Sequence, residues 1–142
     1  MRLGNLFISC ISYLISSALR MERILVSTNS IARKKSIAFA LRIVKLSQYL
    51  TKEHNEYVLS KQVLRSGTSI GANITEAIYG SSHKDFTAKL QIAKKEAAET
   101  LYWLELLNGA GYLDDPLYRS LHKDCDELLS MLVAAIRSSS QP

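Results

Sequence analysis

Two prolines and six glycines in 142 residues leave little material for turns, which argues against a sandwich or barrel. Cys10 and Cys125 are too few for a disulfide framework and have no metal-site spacing, so the chain reads as reduced and cytoplasmic. Catalytic signatures are missing too. There is no phosphate-cradling glycine loop and no dinucleotide fingerprint. A di-metal carboxylate centre needs Glu-x-x-His on its helices, and none of His54, His83 and His122 has a Glu three residues earlier. Cys125 lies on an apolar stripe, the place of a small buried residue rather than a nucleophile. The expectation is a non-enzyme without metal or cofactor.

Acids are scarce at one end only. Residues 1–50 carry eight Lys or Arg against the single acid Glu22, a net +7, whereas residues 51–142 carry ten bases and twelve acids. The basicity is an N-terminal property, densest at Arg33, Lys34 and Lys35 and continued by Arg42 and Lys45. Such a patch attracts phosphate backbones or anionic lipid, and its bland alternative is a solvated helix face.

What the chain does have is 47% apolar residues, placed at helical spacing. Between Asp85 and Leu107 two seams share one helix. Phe86, Leu90, Ala93, Ala97, Thr100, Leu104 and Leu107 form an apolar stripe. One residue out of phase, Asp85, Lys89, Ile92, Glu96, Glu99, Trp103 and Leu106 repeat the rhythm with charge mixed in. A helix with two sticky faces touches several neighbours, which points to a helical bundle assembled further into an oligomer.

Four helices follow from the pattern, over about 31–50, 57–79, 82–107 and 115–137. The first has one stripe of Ile37, Ala40, Leu41 and Val44 and another of Phe39, Ile43, Leu46 and Leu50. The second has a core seam of Val63, Gly67, Ile70, Ile74 and Ala77, where Gly67 and Gly71 suit close approach of a neighbouring backbone. Beside it runs a polar seam of Gln62, Ser66, Ser69, Asn73 and Glu76, with Arg65 at its border. Ser82 with Asp85 resembles a capping box, Asn108, Gly109 and Gly111 stop the third helix, and Asp115 with Pro116 starts the fourth. The fourth follows Leu117, Leu121, Cys125, Leu128, Leu132 and Ile136. Connectors this short give an all-α, up-down-up-down four-helix bundle over 31–137, with a disordered tail at 138–142.

Leu3 to Leu19 is mostly apolar behind Arg2, and Ser16 with Ala18 could imitate a signal-peptidase site. Gly4, Asn5 and four serines interrupt the run, which is short for a membrane span, and Met21 opens a sensible shorter start. Residues 1–30 therefore read as an extension outside the domain, with a signal or anchor as the alternative; no membrane partner is expected.

The run Arg65-Ser66-Gly67-Thr68-Ser69-Ile70-Gly71-Ala72-Asn73-Ile74-Thr75-Glu76-Ala77 resembles the second-helix signature of a known family. Ser82-His83-Lys84-Asp85-Phe86 and the stretch Leu90 to Leu107 resemble its third helix, and Phe39 to Leu46 and Val58 to Gln62 fit the same pattern. The family is that of small four-helix-bundle proteins described from intervening sequences in bacterial 23S ribosomal RNA genes. The resemblance covers about Ile31 to Ile136; many members have Gly where this chain has Ala77. It implies a left-handed bundle, assembly as a homopentamer and no enzymatic activity. It also implies kinship with the accessory protein of diversity-generating retroelements, a basic bundle that works with a reverse transcriptase and its template RNA.

Two sets of candidate residues follow. Arg33, Lys34, Lys35, Arg42, Lys45, Lys61, Arg65, Lys94 and Lys95 are candidate phosphate contacts, the first five foremost. Arg65, Ser69, Asn73, Glu76, Glu96 and Glu99 are expected to form a buried or interfacial hydrogen-bond network that fixes register, with Gly67, Gly71 and Trp103 in the assembly contacts. The leading function is nucleic-acid binding. The competing one is an adaptor that docks another protein, for instance a reverse transcriptase.

Overall fold

The computed structural model describes the backbone of residues 2–140 and the side chains of residues 8–12 and 31–140. Among these the structure is all-α, with no strand. Its elements are α1 (Arg2–His54), α2 (Leu59–Ile78), α3 (His83–Gly109) and α4 (Asp115–Ser139). Each packs on two others: α1 on α2 and α4, and α3 on α2 and α4.

α1 is far longer than the expected 31–50. It runs 53 residues without a break, about 80 Å at 1.5 Å per residue. No proline interrupts residues 2–54, and Gly4 is the single glycine there, so nothing local ends the helix at position 31. Ala32 is its first buried residue among the described side chains, while Ile8 and Ile11 are exposed. The signal-like features at Ser16, Ala18 and Met21 lie outside the described side chains. Among the described residues no helix is long and apolar enough to cross a membrane.

α1 ends at His54 rather than near Leu50 because the next two residues form a stop. Asn55 takes the left-handed conformation at φ 50°, and Glu56 N–H donates back to the Leu50 carbonyl at 3.0 Å. Glu56 then turns to the start of α2. Its carboxylate accepts from the N–H groups of Val58, Leu59 and Ser60 at 3.1, 2.9 and 2.7 Å. These are the donors that a helix start leaves without partners. α2 thus begins at Leu59, two residues later than expected, and ends at Ile78.

α3 starts at His83, with Ser82 Oγ accepting from Asp85 N–H at 3.1 Å as the capping pattern predicts. It continues past Leu107 to Gly109. Gly111, at φ 82°, closes it with bonds from Tyr112 N–H to the Leu107 carbonyl and from Gly111 N–H to the Asn108 carbonyl. α4 is capped by Asp114 and not by Asp115: Asp114 Oδ1 accepts from Leu117 N–H at 2.8 Å. At its far end Ser138 and Ser139 belong to the helix rather than to a loose tail. The Ser139 carbonyl lies 2.8 Å from His83 Nε2, and Thr87 Oγ1 donates to its hydroxyl at 3.2 Å. Residues 141 and 142 lie outside the described residues.

The core takes one stripe from each helix. Phe39, Ile43, Leu46 and Leu50 of α1 meet Val63, Ile70, Ile74 and Ala77 of α2, Leu90, Ala93, Ala97, Leu104 and Leu107 of α3, and Leu121, Cys125, Leu128, Leu132 and Ile136 of α4, all buried. Phe86 is only partly buried and Leu117 is 37% exposed, so both expected seams loosen at their first residue. Burial pushes the Cys125 thiol up to about 12, and its Sγ lies 3.4 Å from the Ala97 carbonyl. It is an inert core residue.

Candidate functional site

α2 has a different relation to each neighbour. Toward α1 it presents Gly67 and Gly71. A Cβ on Gly67 would lie 2.9 Å from both Cγ1 and Cγ2 of Ile43, and one on Gly71 would lie 2.9 Å from Ser36 Oγ. Both are closer than carbon side chains tolerate, so the glycines are what allow α1 and α2 to meet. Outside this contact runs a groove of about 360 Å³, lined by Ile37, Leu41 and Val44 of α1 and Thr68, Ala72 and Thr75 of α2. Ile37 is 44% and Leu41 60% exposed. This is the Ile37, Ala40, Leu41 and Val44 stripe of α1, left partly uncovered by its own chain.

Toward α3 the contact is polar. Thr100 Oγ1 lies 3.0 Å from Ser66 Oγ and 2.8 Å from the Glu96 carbonyl, all inside the seam. At the rim Arg65 binds Glu99 through Nη2 and lies 3.8 Å from Glu96 Oε2 through Nη1. Glu99 Oε1 also accepts from Trp103 Nε1 at 3.0 Å. This same Glu96 Oε2 is buried and has no hydrogen-bond partner among the described residues. Further along, Lys89 pairs with Glu76 at 2.5 Å, and that carboxylate raises the Lys89 ammonium above its ordinary value. Ile92 and Leu106 stand exposed beside this row.

The expected network is therefore divided. Arg65, Glu96, Glu99 and Trp103 come together. Asn73 instead donates to the Ser69 backbone carbonyl one turn back at 2.9 Å, and Glu76 belongs to a separate pair with Lys89. Short polar side chains compete for their own backbone, which spacing alone does not reveal.

The candidate cations divide as well. Lys35 is bound by Glu127 of α4 at 2.6 Å. Arg42 is held by Asp124 and by Ser120, whose carbonyl and hydroxyl accept at 3.4 and 2.9 Å. Arg33, Lys34, Lys45, Lys61 and Lys95 are exposed and Lys94 half-buried, and among the described residues none of these six is in an ion pair. Sequence reasoning missed the acids of α4 opposite α1, because pairing across helices depends on register. It also missed the Glu56 cap. The signal was there: a Glu two to four residues ahead of a helix start. Among the described residues, no group of three or more His, Cys, Asp or Glu is placed to hold a metal ion.

Residues 28–134 match the model of a family described as "23S rRNA-intervening sequence protein". The chain belongs to that family. A crystal structure from the S23 ribosomal protein family of Bacteroides thetaiotaomicron, of a protein with unknown function, is similar at 48% sequence identity and a TM-score of 0.76. The alignment covers 78% of this chain and 98% of that one. No curated protein matches. Within the 23S rRNA-intervening sequence family, the matched span contains both seams of α2 and the cations from Arg33 onward, and leaves out most of the N-terminal half of α1.

Proposed function

We propose that the chain is a non-catalytic, left-handed, up-down-up-down four-helix bundle over residues 31–137, preceded by an extension at 1–30. We infer further that it assembles as a homopentamer in the cytoplasm and binds nucleic acid through the phosphate backbone. The bundle reading is supported by contacts whose partners run in opposite sequence order: Ile43 with Gly67 and Ser36 with Gly71, Arg65 with Glu99 and Glu76 with Lys89, Lys35 with Glu127 and Arg42 with Ser120.

One observation carries the assembly: two unlike apolar edges flank α2, Ile37 with Leu41 on one side and Ile92 with Leu106 on the other. Unlike edges on one protomer favour head-to-tail contacts, which close into rings when the rotation permits. A ring repeats the exposed cations of α1, so weak phosphate contacts add through avidity.

Sedimentation and salt-dependent anisotropy test the reading together. The expected result is a species near five times 15.9 kDa that retains labelled RNA or DNA at low salt and releases it steeply as salt rises. A monomer that retains neither would overturn it. An adaptor for a protein such as a reverse transcriptase is the second reading, favoured by the exposed Ile78 and Tyr79 where α2 ends. A pull-down partner that survives nuclease treatment would select it.

A further inference from the structure

The side of the molecule where α1 meets α4 has a groove that plays no part in either apolar edge. It measures about 390 Å³ and is lined by Arg42, Lys45, Leu46 and Tyr49 of α1 with Leu117 and Leu121 of α4. Its base is apolar, since Leu46 and Leu121 are buried, and its rim is formed by the exposed Tyr49 and Leu117. That volume lies at the small end of ligand-sized clefts.

The Tyr49 ring is braced. Its hydroxyl lies 3.0 Å from His54 Nε2, and the two rings meet edge to face at 5.0 Å. His54 in turn meets Tyr112 edge to face at 5.4 Å. A ring held this way loses little freedom when something stacks on it. The charges around it are unequal. Arg42 is occupied by Asp124 and Ser120, while Lys45 and Lys52 are exposed and in no ion pair among the described residues. Lys45, Tyr49 and Lys52 stand four and three residues apart, hence on one stripe, with the lysines about 10 Å apart along the axis.

A cation, an aromatic face and a second cation in line are the elements of a platform for unpaired bases, where the ring stacks and the ammonium groups track the backbone. A duplex offers the same phosphates but keeps its bases stacked inside. We propose that the α1–α4 groove receives an unpaired base of a single-stranded nucleic acid, stacked on Tyr49 over Leu46 and Leu121, with Lys45 and Lys52 holding the flanking phosphates. This rests on the nucleic-acid reading above and adds a preference for single strands.

The test uses the full chain with a labelled oligo-uridine RNA and a labelled RNA duplex of equal length, read by anisotropy at low salt. Tyr49→Ala is expected to weaken single-strand binding about tenfold and leave duplex binding unchanged. Tyr49→Phe, which keeps the ring, retains both, and Lys45→Gln lowers the salt slope by about one unit on either probe. If Tyr49→Ala binds single strand as tightly as the parent, the groove proposal is overturned while phosphate binding stands. If the parent retains neither probe, the nucleic-acid reading itself falls. Binding of anionic phosphatidylglycerol vesicles in place of RNA would overturn both and assign the groove to lipid.

Discussion

α2 is held on one flank by shape and on the other by polar pairing. Against α1 the fit rests on two missing side chains, with Ile43 and Ser36 in the space that a Cβ would need. Against α3 it rests on the Ser66–Thr100 hydroxyls within and the Arg65–Glu99 and Lys89–Glu76 pairs outside. The two solutions fail differently. A close-packed crossing has no room for added volume, whereas exposed ion pairs contribute little to stability and are better suited to fixing register. Both flanks nevertheless end in uncovered apolar residues, so the difference inside the chain extends to two unlike surfaces outside it.

Charging those surfaces separately gives the largest expected effect. Leu41→Asp on one edge or Ile92→Asp on the other should each reduce the assembly to a smaller species in sedimentation. Thermal stability of the protomer should change little, because the side chains are 60% and 41% exposed. Mixing the two variants sharpens the point: if the edges join head to tail, each mutant still has one intact edge, and the mixture should form heterodimers. Identical behaviour of mutants and parent would mean that neither edge is an interface. Gly67→Leu comes next. It places four carbons where Ile43 already stands, and a loss of at least about 1–3 kcal/mol in chemical denaturation is expected. Ala72→Leu on the exposed side of the same helix should cost far less, and equal losses would refute the close-contact explanation.

How much of this was legible in the sequence follows the same division. The glycine crossing and the buried stripe of α2 were readable because 3.5-residue spacing fixes a face, and a glycine pair inside a helix needs a reason. The α4 cap was displaced by one residue, since Asp114 and Asp115 are chemically equivalent and proline is accommodated anywhere in the first turn. The length of α1 was missed because apolar periodicity marks where a helix packs, and an unpacked continuation leaves no such mark. The polar site was half legible: spacing put Ser69, Asn73, Glu96 and Glu99 on facing sides, but which acceptor each donor takes depends on distances within a turn. The same holds for Lys35 and Arg42, whose pairing with Glu127 and Asp124 depends on helix register.

Glu56 tests what both flanks share, the start of α2. Desolvation pushes its carboxyl up, but the N–H donors of Leu59, Ser60 and Val58 outweigh this and hold it below the ordinary glutamate value of 4.5. With the folded-state value depressed, the stabilisation is fully present above the ordinary value and is lost as pH falls through the folded value. Glu56→Gln should therefore flatten the fall in stability below about pH 4.5, and Glu56→Ala should cost roughly 1 kcal/mol at neutral pH. An acid limb unchanged by Glu56→Gln would show that the cap does not carry this titration.

The smallest effects decide whether the polar flank sets register or only decorates it. Asn73→Leu removes a bond to its own helix, from Asn73 to the Ser69 carbonyl, so both stability and assembly should be close to those of the parent. Glu99→Ala is different, because it leaves Arg65 and the Trp103 indole N–H without their shared acceptor. For a half-exposed group the protomer should lose about 1 kcal/mol or less. If the α3 edge meets a neighbouring copy, however, that copy would cover a guanidinium left with only the 3.8 Å contact to Glu96, and burying a charge that has lost its close partner costs more than the exposed pair was worth. Loss of assembly with little loss of protomer stability would therefore put the carboxylates inside the interface. Unaltered assembly in both variants would confine Glu99 to positioning its own helix and leave the apolar residues alone to join the subunits.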